Sequence, residues 1–217
     1  MQSKLDLGKI TLLCFDGRPE DLNRLSRYRE ILDYMLSNVN FYDVKFLSPF
    51  DFQMKGVKHI KIKETLIGGY SRFCIKELNQ YVESEFCLIF QDDGFILNPS
   101  LWDDSFYDYD YIGAPWPLYI GWPQEGKQVG NGGFSLRSKK FLEVSARLPS
   151  SHTNEDTYIL LTHRENLDEN SIKIAPLDIA RKFSVEMPLD KEHSIENCFG
   201  FHSKRNLEKA LEYIKKR

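Results

Sequence analysis

Two adjacent carboxylates, Asp92 and Asp93, follow an unbroken apolar run from Phe86 to Phe90, with Gln91 before them and Gly94 behind. A run of this kind suits a strand covered on both faces in an α/β sheet. Ligands bind such sheets beyond the carboxyl ends of the strands. Two neighbouring carboxylates at a buried strand end repel each other and lose solvation unless a positive partner joins them. A hard divalent cation bridging to a diphosphate meets that need, because carboxylate oxygens suit Mg²⁺ and Mn²⁺. Gly94 permits a sharp turn and the close approach of a ligand. An ordinary Asp-Asp-Gly turn between two strands is the competing reading.

Four further groups carry possible chemistry. Gly68 and Gly69 with Arg72 at a helix start could face an anion, through free N–H groups and a guanidinium; a surface cap with a solvated arginine fits the same residues. Gly130-Asn131-Gly132-Gly133 allows close backbone approach to a ligand, or forms a loose loop. Glu155 and Asp156 open a helical run, where carboxylates also serve as caps. Their side chains point roughly 100° apart, so one can pair with a base while the other faces a cleft. His202 ends an aromatic stretch, Cys198 to Phe201, a context in which histidine is more often structural than a metal ligand.

The elements that must position these groups read as strands alternating with helices. Strands are expected at Lys9–Phe15, Phe41–Leu47, Val57–Ile62, Phe86–Phe90, Tyr109–Gly113, Phe134–Arg137, Ile172–Ala175 and Ile195–Phe201. Helices are expected from Pro19 to Ser37, Gly68 to Val82, Lys139 to Leu148, from Asn154 onward, Pro176 to Lys182 and Arg205 to Lys216. The βαββαβ start implies one α/β domain with a mixed, mostly parallel central sheet flanked by helices. Gly121 to Gly130, rich in Gly, Pro and Gln, reads as a mobile loop.

The 217 residues are enough for one substantial core, and their 41% hydrophobic and 28% charged content is that of a soluble globular chain. A net charge of −3 argues against general nucleic-acid affinity. The four cysteines form no Cys-x-x-Cys pair and read as buried thiols. The N-terminus is not signal-like and no apolar run is long enough to cross a bilayer, so a cytoplasmic location is expected, with only a weak case for peripheral membrane contact through the basic last helix. Aromatic residues in Phe106–Tyr111 and Trp116–Trp122 could form platforms for sugar faces or pack under loops.

Several pieces together resemble the GT-A type nucleotide-sugar glycosyltransferases, closest to a little-characterised group with a Gln-x-Asp-Gly-Phe motif. They are Phe90-Gln91-Asp92-Asp93-Gly94-Phe95, Tyr109-Asp110-Tyr111-Ile112-Gly113-Ala114-Pro115-Trp116, Gly130-Asn131-Gly132-Gly133-Phe134-Ser135-Leu136-Arg137, Asn154-Glu155-Asp156 and Phe199-Gly200-Phe201-His202. The resemblance implies a single GT-A-like (Rossmann-like) domain, with a nucleotide-binding half over about 1–97 and an acceptor and metal-completing half over about 98–217. It implies Mn²⁺ or Mg²⁺ on Asp93 and His202, with Asp92 and Gln91 near the donor diphosphate. Gly132, Gly133 and the acid pair would line the transfer site, with Asp156 in preference to Glu155 as catalytic base of an inverting reaction. Phe15 and Asp16 would receive the nucleoside, with Arg72 completing the donor pocket. The donor implied is a UDP-sugar, and the acceptor a glycan, a lipid-linked molecule or a protein. Gln91 stands where the family has its first acid. That departure keeps two rivals open: a metal-dependent nucleotidyltransferase or phosphoesterase using Asp92 and Asp93, and a non-catalytic sugar-binding protein of the same fold.

Overall fold

The computed structural model describes residues 3–65 and 68–216. Its strands are β1 (Leu5–Phe15), β2 (Val39–Ser48), β3 (Lys58–Lys61), β4 (Phe86–Ile89), β5 (Gly94–Ile96), β6 (Tyr111–Gly113), β7 (Ser135–Ser138), β8 (Ser184–Val185) and β9 (Gly200–His202). Six of them form the central sheet in the order β3-β2-β1-β4-β7-β6, and β5-β9-β8 form a small second sheet. β3, β2, β1 and β4 run parallel, while β7 is antiparallel to both β4 and β6. The central sheet is therefore mixed and mostly parallel, as the alternation of strands and helices implies.

β4 lies between β1 and β7, and all four of its residues are buried. Register aligns Val44, Leu12, Leu88, Leu136 and Ile112 in one row across five strands. All five are buried, and each fully buried aliphatic side chain contributes about 1.5–3 kcal/mol. The row buries β4 close to its carboxyl end at Ile89, and the polar triplet begins two residues after that end, at Gln91.

The helices are α1 (Leu22–Asn38), α2 (Gly69–Lys76), α3 (Lys139–Arg147), α4 (Glu155–Thr157), α5 (Arg164–Glu169), α6 (Leu177–Phe183) and α7 (Lys204–Lys215). Several boundaries depart from expectation for identifiable reasons. Pro19 precedes α1 instead of opening it, because Asp21 is the cap: its side chain accepts from Arg24 N at 2.7 Å. The helix expected through Val82 stops at Lys76 and tightens into a 3₁₀ turn, Leu78–Tyr81. The carbonyls that turn leaves free are taken by ammonium groups, Tyr81 by Lys45 and Asn79 and Val82 by Lys139.

Ile172–Ala175 makes one bridge, Tyr111 to Ile174, and no strand. The strand expected from Ile195 begins only at Gly200, because the Asn98 amide donates to the carbonyls of Ile195 and Cys198 and removes them from any ladder. After α4 the chain widens into a π-helical turn, Tyr158–Thr162. The four cysteines are free and buried. Among the described residues no helix is long and apolar enough to cross a membrane.

Candidate active-site cleft

The small sheet delivers the last strand to the end of β4. β5 pairs with β9 so that Gly94 faces His202. The imidazole Nε2 then lies 3.2 Å from Gln91 Oε1 and 3.6 Å from Asp93 Oδ1. On its other side Nδ1 is 3.5 Å from Glu186 Oε1, close enough for attraction between charges but without a formed hydrogen bond. Burial pulls the His202 pKa down, but Glu186 and Asp93 outweigh it and the net shift is upward.

Asp93 and His202 thus come together. The His202 imidazole has a carboxylate oxygen and an amide oxygen close to one ring nitrogen, all three being types of group that divalent metals accept. No group of three His, Cys, Asp or Glu side chains among the described residues is arranged to hold a metal by itself. The fit is to a cation that draws most of its shell from a ligand's oxygens, the usual habit of ions bound with phosphates.

Asp92 does something different. Its Oδ1 accepts from Arg18 Nη2 at 3.0 Å and its Oδ2 from Arg27 Nη2 at 2.6 Å. Burial works to raise this carboxyl, yet the hydrogen bonds and charges of Arg27 and Arg18 hold it below the usual carboxylate range. The buried Asp16 is gripped the same way, by Arg18 Nε at 2.8 Å and Arg24 Nε at 2.6 Å. Asp16 beyond β1 and Asp92 beyond β4 are therefore occupied by guanidinium groups, while Asp93, among the described residues, is not.

Arg18, 51% exposed at its side chain, lines a cavity of about 520 Å³ with Phe15, Asp16, Tyr70, Gln91 and Asp93. Arg72 does not reach it. That residue lines an adjoining cavity of about 550 Å³ with Lys61, Lys63 and His152, and its Nε is 3.5 Å from Glu77. Phe15 borders both spaces, and its ring stacks on Phe73 at 4.1 Å.

The second acid pair divides its work. Glu155 is buried, and its Oε1 accepts from Arg137 Nη2 at 3.1 Å. Arg137 projects from β7 with its side chain 1% exposed, donates also to Ser135 Oγ and the Gly132 carbonyl, and lies 5.6 Å from the Tyr111 ring. Burial pushes the Glu155 carboxyl up, against the pull of Arg137. Asp156 is half-buried; its Oδ2 accepts from Gly132 N at 3.4 Å and its Oδ1 from Thr157 N at 2.7 Å.

The glycine-rich segment is buried and ordered by these neighbours, not a loose loop. A Cβ on Gly132 would fall 1.7 Å from Glu155 Oε1, and one on Gly133 would fall 2.2 Å from His202 Nε2. The close backbone approach expected toward a ligand is made to the protein's own side chains.

Asp156, His202, Glu186 and Trp122 line a further cavity of about 530 Å³, which shares Tyr70 and Gln91 with the cavity at Arg18. One cleft thus runs from Phe15 past Gln91 to Asp156. The two aromatic stretches differ in placement. Phe106 packs inside against Trp102 and Phe183, and Tyr107 packs on Phe86. Trp122 instead stands at the cleft, 4.7 Å from Trp116. Arg18, Arg24, Arg27, Arg137 and Glu186 are the site residues that sequence reasoning missed. Arg24 and Arg27 share one face of α1 at a spacing of three residues, and opposite charges at neighbouring strand ends were the available signal.

Residues 53–202 match the model of a family described as "Protein of unknown function (DUF5672)". Among solved structures, the chain is similar to a glycosyltransferase involved in the glycosylation of the major capsid of PBCV-1, with a TM-score of 0.54, 14% identity, and coverage of 96% of this chain and 99% of that one. A lower likeness, TM-score 0.46 and 12% identity, links it to the apo-form glycosyltransferase GlyE of Streptococcus pneumoniae TIGR4, over 98% of this chain and 60% of that one. The first of these shows the fold to be one that a glycosyltransferase uses. No curated protein matches the sequence.

Proposed function

For a chain that belongs to the DUF5672 family, we propose the activity of a glycosyltransferase that moves a sugar from a UDP-sugar to an acceptor hydroxyl, with inversion. The observation that carries the reading is the meeting of Asp93, Gln91 and His202 midway along a cleft, with Arg18 on one side and Asp156 on the other.

In this reading the nucleoside lies against Phe15, and Arg18 donates to the diphosphate while Asp16 and Asp92 hold its guanidinium in place. Mn²⁺ or Mg²⁺, when bound by Asp93 and His202, supplies positive charge to the leaving diphosphate. Asp156 takes the acceptor proton as the hydroxyl attacks. The Gly132 N–H fixes the direction of that carboxylate. Glu155 and Arg137 brace Gly132 from behind, so Glu155 is a positioning residue in this scheme. Arg72, in the neighbouring cavity, meets the outer part of the donor. A single displacement with one base inverts the anomeric centre.

The nucleotidyltransferase or phosphoesterase reading asks both Asp92 and Asp93 to bind metal. Asp92 has both oxygens engaged by arginines, which disfavours it. Titration calorimetry with UDP, with and without Mn²⁺, tests the proposal together with product analysis after incubation with UDP-sugars. UDP affinity should rise with Mn²⁺, and Asp93→Asn should abolish that rise along with transfer. A protein that binds no nucleotide under either condition would rule the activity out.

A further inference from the structure

We infer that the acceptor is a neutral carbohydrate, stacked on Trp122 in the cavity that holds Asp156; this rests on the glycosyltransferase reading and adds the chemical class of its acceptor. The basic side chains lie at one end of the cleft, although Arg18 shares its cavity with Asp16, Asp92 and Asp93. The spaces toward the nucleoside end carry Arg18, and then Lys61, Lys63 and Arg72. The cavity at Asp156 has no lysine or arginine among its described lining residues; apart from Tyr70, its ionisable side chains are Glu155, Asp156, Glu186 and His202. Arg137 neutralises Glu155 from behind, and Glu186 lies 3.5 Å from the His202 imidazole. Asp156 has no cationic partner among the described residues. An acceptor bearing a carboxylate, sulfate or phosphate would meet uncompensated negative charge at short range, which costs affinity.

The apolar part of the cavity is as specific as its charge. Trp122 is 47% exposed, and the buried Trp116 backs it at 4.7 Å with the rings inclined at 60°. Tyr119 Oη donates to the Pro188 carbonyl at 3.2 Å, which ties this aromatic turn to the segment bearing Glu186 and Met187. The cavity is therefore lined both by an indole and by the polar groups of Asn154, Asp156 and Glu186. A lipid chain would require apolar walls all round. A pyranose ring has a C–H face for the indole and a rim of hydroxyls for the carboxylates and amide, and matches both kinds of lining.

The test uses the full chain with UDP and Mn²⁺ present. An array of neutral oligosaccharides and their uronic-acid or sulfated counterparts is screened, and the best binder is titrated against tryptophan fluorescence. Neutral glycans should bind, and their acidic counterparts should bind about tenfold or more weakly. Trp122→Ala should weaken the neutral glycan roughly 5- to 10-fold, the scale of one good aromatic contact, while Trp122→Phe keeps most of the affinity. Equal or better binding of acidic glycans would overturn the inference. So would Trp122→Ala affinity within twofold of the wild type, or nucleotide binding with no oligosaccharide bound anywhere on the array. Failure of the wild-type protein to bind UDP at all is a separate result, which removes the glycosyltransferase reading and this inference with it.

Discussion

Asp92-Asp93 after β4 and Glu155-Asp156 in α4 are both adjacent acid pairs, and in each the first acid is held by arginine while the second borders the cleft. The difference lies in where the arginines stand. Arg18 and Arg27 keep 51% and 31% of their side chains exposed, and Arg18 also lines a cavity. Arg137, on a strand of the central sheet, is sealed from solvent. One guanidinium can serve a carboxylate and a ligand together, whereas the other can only brace the fold. The carboxylates respond accordingly. Burial raises Glu155, which has one arginine, while two arginines overcome burial and lower Asp92.

The sharpest way to break this comparison is to remove the cleft-facing member of the second pair. Asp156→Asn keeps the shape and removes the base, so turnover should fall by about 10²–10⁴-fold in steady-state kinetics. UDP affinity in the same protein should hardly change. Near-normal turnover here, with Glu155→Gln abolishing transfer at intact UDP affinity, would exchange the two roles.

Next in size is the sealed arginine. Arg137→Met leaves a buried carboxylate without its partner and should cost about 3–5 kcal/mol in urea unfolding, and adding Glu155→Leu should recover much of that. If the single change costs as little as a surface ion pair, Arg137 is not a brace.

The first pair should show a smaller effect, because water screens its half-exposed arginines. Asp92→Asn should cost about 1–2 kcal/mol near neutral pH. The pH dependences then have opposite sign. The folded-state pKa of Asp92 is lowered, so its contribution is present above the unfolded value of about 3.9 and is lost as pH falls toward the folded value. The folded-state pKa of Glu155 is raised, so its contribution declines as pH rises from the unfolded value of about 4.3 to the folded one. Unfolding free energies of wild type, Asp92→Asn and Glu155→Gln across this acid range should separate the two slopes; parallel slopes would contradict the contrast.

The smallest expected effect belongs to Arg72, which is outside the Arg18 cavity. Arg72→Ala should weaken UDP-sugar binding by a few-fold, roughly the worth of one exposed charged contact, with the unfolding midpoint unchanged. Unaltered affinity would return Arg72 to the solvated surface.

Local signals made much of this legible. The apolar run at Phe86–Phe90 marks a central strand because four consecutive residues there are buried, and the acids beyond it mark its open end. The pairing of His202 with Asp93 followed from family likeness, since no periodicity links residues so far apart. Arg18, Arg27 and Arg137 escaped notice because a partner for a carboxylate is chosen by tertiary neighbours; Arg137 in particular sits in a short strand whose sequence, Ser-Leu-Arg-Ser, gives no sign of complete burial. Element ends depart from the sequence pattern where side chains take over backbone partners, as Asn98 does at Ile195 and Cys198.

The position of His202 on the last strand has a consequence for the order in which the chain is made. Arg18 and Arg27 leave the ribosome before Asp92, so that carboxylate finds its counter-ions at once. Asp93 must wait for β9, whose pairing with β5 closes one of the longest loops in the molecule. Contacts of such sequence separation form late, after the entropy of closure has been met by earlier structure. The half-built protein is thus electrically settled around Asp16 and Asp92 while its Asp93 site is still open. In refolding followed by pulsed hydrogen exchange, amides of β1 and β4 should gain protection before those of β5 and β9. Simultaneous protection would mean that the cleft and its sheet are born in one step.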